Sequence, residues 1–180
     1  MADRKKPMQL EEETQRFFYA LGWAISRWSK VEDLLAFLFA FLTSGNAHSH
    51  AAKAAYYAAI NFNVKLEMTQ CASVWALDSQ FKDEWKTLHN RIGRKSKRRN
   101  ILVHYVAVRT EPVPSDGCHI HLTPSLGDVN ALAEYTSSPP TLNFKEIEEV
   151  GDVFEALAAE LGRFCIKVGA LQPVQPRESL

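Results

Sequence analysis

A chain of 180 residues, 46% apolar and 23% charged, has the composition of an ordinary globular protein. It is long enough for one domain with a sizeable core and cramped for two. Lys+Arg and Asp+Glu balance at 21 each, so overall charge is silent on a nucleic-acid partner and only local clusters can speak to one.

Residues 1–9 read as a flexible N-terminus; "MADRKKPMQLEEETQ" is charged and lacks the apolar core of a secretory signal. Between Pro7 and Pro112 there is no proline and only three glycines, Gly22, Gly45 and Gly93, which predicts helix. The first helix starts at Leu10 or Glu11, with Glu11, Glu12 and Glu13 at the positive end of its dipole. Phe17, Leu21, Ile25, Trp28, Leu35, Phe39 and Leu42 recur at helical spacing, Gly22 marks a packing contact or a slight break, and "TSGN" at 43–46 stops the helix. The apolar run "LLAFLFAFL" has nine residues, against the roughly 20 of a membrane span, and reads as a buried helix segment.

A second, alanine-rich helix is predicted over 47–77, with Ala54, Tyr57, Ala58, Phe62, Leu66, Thr69 and Val74 on one side. Asp78 or Ser79 caps a third over 80–106, with Gly93 a point of interruption. Apolar and polar residues then alternate on both sides of "PSDG", which predicts a β-hairpin within an insertion at about 105–140. A last helix over 143–168 carries Ile147, Val150, Phe154, Leu157, Leu161 and Phe164 on one stripe, and Glu146, Glu148, Glu149, Asp152 and Glu155 outside it. Residues 171–180 read as a flexible tail. The expected fold is all-α: a single domain over 10–170, a bundle of about four long helices with a small β-hairpin insertion before the last.

The stretch "KSKRRNILVHYV", 95–106, carries the chemistry. Asn100 and His104 are four apart and lie within about 40° on one helix face, and Arg99 sits roughly 140° from His104, within reach of a long guanidinium stem. A planar fork of donors and an imidazole converging on one point suit a phosphodiester. The imidazole moves a proton near neutral pH and the guanidinium binds non-bridging oxygens as charge builds on phosphorus. Six of the nine residues from Arg91 to Arg99 are basic: Arg91, Arg94, Lys95, Lys97, Arg98 and Arg99. A charge run is ordinarily a solvated face. Beside this site it is equally an RNA-guiding patch, or a dock for the acidic face of the last helix.

Arg99-Asn100-x-x-x-His104, late in a long helix of an all-helical chain, resembles the signature of the HEPN domains. "ISRWSKVEDLL" at 25–35, with Trp28 ahead of Glu32, is similar to their first-helix pattern. The resemblance covers about 10–106 and 143–168 and leaves out the hairpin. It implies a metal-independent endoribonuclease that needs no cofactor. His104 helps the ribose 2′-OH attack the adjacent phosphate, Arg99 stabilises the transition state, Asn100 orients the site, and Glu32 supports Arg99 or the histidine. The products are a 2′,3′-cyclic phosphate and a 5′-OH. It also implies a homodimer whose site lies at the interface, RNA as substrate, and a toxin or phage-defence role with an antitoxin or regulatory protein as partner. The alternative, of a different class, is a catalytically inactive helical dimer that binds RNA, nucleotide or a protein partner through the same groove.

Other candidates carry less. Cys71, Cys118 and Cys165 are far apart with no metal-type spacing, which points to a reducing, cytoplasmic setting and no metal. His119 and His121 in "CHIHL" share a strand face; two ligands without a third are weak evidence for a metal, and they read as exposed hairpin residues. His48 and His50 flank a helix start. Trp23, Trp28, Trp75 and Trp85 read as core or interface anchors rather than base-stacking platforms.

Overall fold

A computed structural model of the protein describes residues 10–110, 114–125 and 141–171. Among them are five α-helices and one two-stranded antiparallel sheet: α1 (Leu10–Ser44), α2 (His50–Ala58), α3 (Phe62–Ala76), α4 (Lys82–His104), β1 (Val106–Arg109), β2 (Ile120–Thr123) and α5 (Phe144–Lys167). The fold is therefore all-α with a small β-hairpin. The predicted flexible N-terminus at 1–9, the predicted tail at 171–180 except Leu171, and residues 111–113 and 126–140 of the predicted insertion lie outside the described residues.

The chain divides into two compact units. One takes residues up to Arg27 and Lys97–Phe154; the other takes Trp28–Ser96 and the residues from Glu155 onward. Helices α1, α4 and α5 each contribute to both.

The ends of α1 follow from local chemistry. Three acidic residues fill its first turn. At its far end Gly45 adopts φ +70°, and its N–H bonds the Phe41 carbonyl at 2.8 Å, an end that favours glycine. Gly22 neither breaks nor packs: α1 runs through it, and a Cβ there would meet nothing within 4 Å.

The predicted second helix is two helices. Ala59 turns extended, and Asn61 caps α3 by accepting the Asn63 N–H at 2.8 Å. Asparagine competes for backbone donors better outside a helix than within one, so the run of helix formers is cut there. The cut also re-phases the buried face. Tyr56, Phe62, Leu66 and Thr69 are buried, whereas Ala54, Tyr57, Ala58 and Val74 are exposed. α4 is entered through a single 3₁₀ turn, Ser79–Phe81, with Asp78 before it making no side-chain cap bond, and it passes Gly93 without interruption. α5 opens on a reciprocal cap. Asn143 Oδ1 accepts the N–H groups of Lys145 and Glu146 at 3.0 and 3.1 Å, and the Glu146 carboxylate accepts the Asn143 N–H at 2.9 Å. It closes on Gly169 at φ +81°, with Ala170 N–H on Cys165 O and Gly169 N–H on Ile166 O, a Schellman end.

In the first unit, Phe17, Ala20 and Ala24 of α1, Leu102 of α4, Ile120 and Leu122 of β2, and Ile147 and Phe154 of α5 are buried. The hairpin pairs Val106 with Thr123 and Arg109 with Ile120, and Gly117 turns "PSDG" at φ +74°. Leu122 exchanges two backbone bonds with Leu142, at 2.8 and 3.1 Å, so β2 is held from both sides. In the second unit, Trp28, Leu35, Leu38, Tyr56, Leu66, Trp85, Leu88, Ile92, Leu161 and Phe164 are buried. Trp85 stacks on Phe164 at 5.8 Å and donates its indole N–H to Gln70 at 2.8 Å. No described helix is long and apolar enough to cross a membrane.

Candidate functional site

The final turns of α4 carry Arg99, Asn100 and His104. Asn100 and His104 are exposed and Arg99 is half-buried. One turn separates Asn100 from His104 along the helix, a rise of about 6 Å. Arg99 Nη1 donates to Asn100 Oδ1 at 3.3 Å. That bond tethers the guanidinium next to the face that carries His104. Lys97 and Arg98, in the same unit, are exposed.

Arg91, Arg94 and Lys95 belong to the other unit. Arg94 is exposed and Lys95 half-buried. Arg91 is committed to an ion pair with Glu160 of α5, in its own unit. The idea that the basic run docks on the last helix is thus met at one residue, and at Glu160 rather than on the acidic face read from the sequence. On that face Glu148 is held by Arg16 of α1 through two bonds of 2.9 Å.

Glu32 is largely buried. It accepts the Trp28 indole N–H at 2.8 Å and stands 3.5 Å from the ammonium of Lys65, which is itself buried. The tryptophan–glutamate element of the sequence is therefore a direct hydrogen bond one helical turn long. Next to it, Tyr57 donates to Asp33 at 2.6 Å. Burial and the neighbouring carboxylates Glu32 and Asp33 push both Tyr56 and Tyr57 far above the ordinary phenol range, so neither hydroxyl ionises near neutral pH.

The histidines of "CHIHL" are corrected. His121 is only 4% exposed rather than solvated. Its Nε2 is 2.8 Å from Asp116 Oδ2 and its Nδ1 is 3.3 Å from Thr110 Oγ1. Asp116 also accepts from Asn143 Nδ2 at 3.0 Å and from the Cys118 N–H at 3.0 Å. Burial alone would raise its carboxyl, but the bonds from His121, Cys118 and Asn143 outweigh burial and hold it down at about 2. The line of hydroxyl, imidazole and carboxylate has the parts of a nucleophile relay. It is closed on itself instead: Thr110 N–H bonds the His119 carbonyl at 2.8 Å, and the Thr110 hydroxyl reaches the same carbonyl at 3.3 Å. It clamps the turn, β2 and the α5 cap together. Sequence spacing offered no signal for Thr110 or Asn143, and Asp116 was visible only as a turn residue.

Among the described residues no three His, Cys, Asp or Glu groups gather as a metal site. Cys118 and Cys165 are buried; burial raises the Cys118 thiol and pushes that of Cys165 up to about 12. Only Cys71 is exposed. Of the four tryptophans read as core or interface anchors, Trp28 and Trp85 are core, whereas Trp23 is partly exposed and Trp75 is 91% exposed.

No protein-family model, curated protein or solved structure matches the chain.

Proposed function

We propose that the protein is a metal-independent endoribonuclease of HEPN type, with Arg99, Asn100 and His104 as its reacting group. One observation carries this reading: an exposed imidazole on the last turn of α4, one turn beyond an Arg99–Asn100 pair bonded at 3.3 Å, with the exposed cations Lys97 and Arg98 beside it. His104 accepts the proton of a ribose 2′-OH, whose oxygen attacks the adjacent phosphorus. Arg99, steadied by Asn100, binds the non-bridging oxygens as their charge grows. The bond from phosphorus to the 5′-oxygen breaks, the leaving oxygen takes a proton from the second copy's imidazole or from water, and a 2′,3′-cyclic phosphate and a 5′-OH remain. A homodimer through this unit fits the apolar residues it exposes, among them Phe18, Tyr19, Val103, Val106 and Val108. Glu32 supports the fold beneath α1 through Trp28 and Lys65. A cytoplasmic toxin or phage-defence effector restrained by an antitoxin is the setting that fits such chemistry.

The test is cleavage of mixed cellular RNA in EDTA by wild type, Arg99→Ala and His104→Ala, each matched for fold by circular dichroism. Wild-type cutting that leaves cyclic-phosphate ends, reduced about 10²–10⁴-fold in either variant while RNA binding persists, is the expected result. RNA binding without cutting in all three proteins would overturn the nuclease in favour of an inactive binding module.

A further inference from the structure

Helix α3 buries one side and leaves the other uncovered. Phe62, Leu66 and Thr69 point inward. Val64, Met68, Cys71 and Trp75 line a groove of about 660 Å³ whose other wall includes Phe39 of α1. Trp75, the penultimate residue of α3, is 91% exposed, and Val64 is half exposed. An indole left this bare in a soluble chain marks a contact surface.

The spacing of this seam identifies its occupant. The steps from Val64 to Met68, Cys71 and Trp75 are four, three and four, the repeat of a helix seam that receives another helix. The pattern also reads the same in both directions. Laid antiparallel against a copy of itself, α3 sets Trp75 opposite Val64 and Met68 opposite Cys71. The largest side chain meets a small one and the most adaptable side chain meets a thiol, so volumes alternate across the pair. The carboxylate of Glu67, on the rim of the groove, falls opposite Ala72 rather than opposite another Glu67. A two-fold contact needs this kind of self-complementarity. A bare aromatic side chain offers roughly 150–250 Å². With the half-exposed Val64 and the exposed Cys71, the apolar surface of the seam is on the order of a few hundred Å², part of the ~800 Å² that one partner gives to a standard interface.

We infer that the α3 groove is a self-association surface, occupied by α3 of a second copy in antiparallel register. It belongs to a different unit from the Arg99–His104 group and does not depend on the nuclease reading.

The test uses the full chain. Sedimentation across a wide concentration range compares wild type with Trp75→Glu, a change at a bare position that leaves the fold intact. Self-association weakened at least about 30-fold is expected, the loss that follows removal of an aromatic anchor from both ends of the two-fold seam. Association through the exposed apolar residues of the other unit survives this substitution, so the two contacts are told apart. In parallel, mild oxidation of Met68→Cys is expected to yield a covalent dimer in which peptide mapping joins position 68 of one chain to Cys71 of the other. Adding Trp75→Glu abolishes the link. Links joining 71 to 71 would overturn the antiparallel register. An unchanged sedimentation profile in Trp75→Glu with no cross-link would overturn self-association altogether and give the groove to a helix of another protein.

Discussion

Glu13 Oε1 stands 2.6 Å from the backbone nitrogen of His119 and 3.0 Å from that of Ile120, so a first-turn glutamate of α1 closes the entry to β2. The residue is 1% exposed. A buried carboxylate is tolerated where donors surround it, and here two backbone N–H groups that would otherwise lack partners supply them. Glu13→Ala orphans both, at about 1–3 kcal/mol each, so a loss of roughly 2–6 kcal/mol in chemical denaturation is expected. Glu13→Gln keeps an oxygen at the same place and costs less than half as much. Equal losses in the two variants would show that the bonds to β2 are not what the residue contributes.

Asp116 ties the hairpin turn to the α5 cap, and its titration sets an acid limb of stability. Its carboxyl lies at about 2 in the folded chain against an ordinary 3.8, so the unfolded chain binds more protons between these values. The stabilisation is fully present above pH 3.8 and is lost as pH falls toward about 2. Denaturation midpoints measured from pH 5 down to 2 are expected to decline over this window in wild type. The decline is expected to be shallower in Asp116→Asn, which starts from a lower stability. An identical slope in both would remove Asp116 from the account.

Two glycines of α5 are expected to respond in opposite directions. A Cβ on Gly151 would stand 3.4 Å from the backbone of Ala24, where α1 and α5 meet in the first unit. Backbone does not yield as a side chain does, so Gly151→Val is expected to cost about 1–3 kcal/mol. At Gly162 a Cβ meets only the tip of Leu34 at 3.9 Å, and Gly162→Ala is expected to gain up to about 1 kcal/mol from helix propensity. Thermal melts of the two variants decide both.

The cations of α4 separate in a salt titration of RNA binding. Lys97→Ala and Arg98→Ala, at exposed positions, are each expected to lower the slope of log affinity against log salt by about 0.7. Arg91→Ala is expected to leave the slope unchanged and to lower stability, because its charge is already taken by Glu160. A slope that falls with Arg91 and not with the other two would place the RNA elsewhere.

Much of the fold was legible because its signals act over one or two turns. The start of α1 at three glutamates, the glycine stop at Gly45, the "PSDG" turn and the stripe of Ile147, Phe154, Leu157, Leu161 and Phe164 all depend on neighbours within a few residues. Helix geometry likewise puts Asn100 and His104 on one face, with Arg99 roughly 140° around the helix from His104. The sequence by itself thus determined the helical character, the hairpin and the candidate reacting face. Only the tertiary structure decided which polar groups are buried and which aromatic residues are not. Glu13 read only as one of three acids at the positive end of a helix dipole until His119 and Ile120, more than 100 residues away, brought it two donors. His121 looked solvated until Asp116 and Thr110 took its two ring nitrogens. Trp85 and Trp75 each sit in helix with apolar neighbours, yet one is 2% exposed and the other 91%. Local propensity carries no information on what lies across a helix, and burial is set by that distant surface.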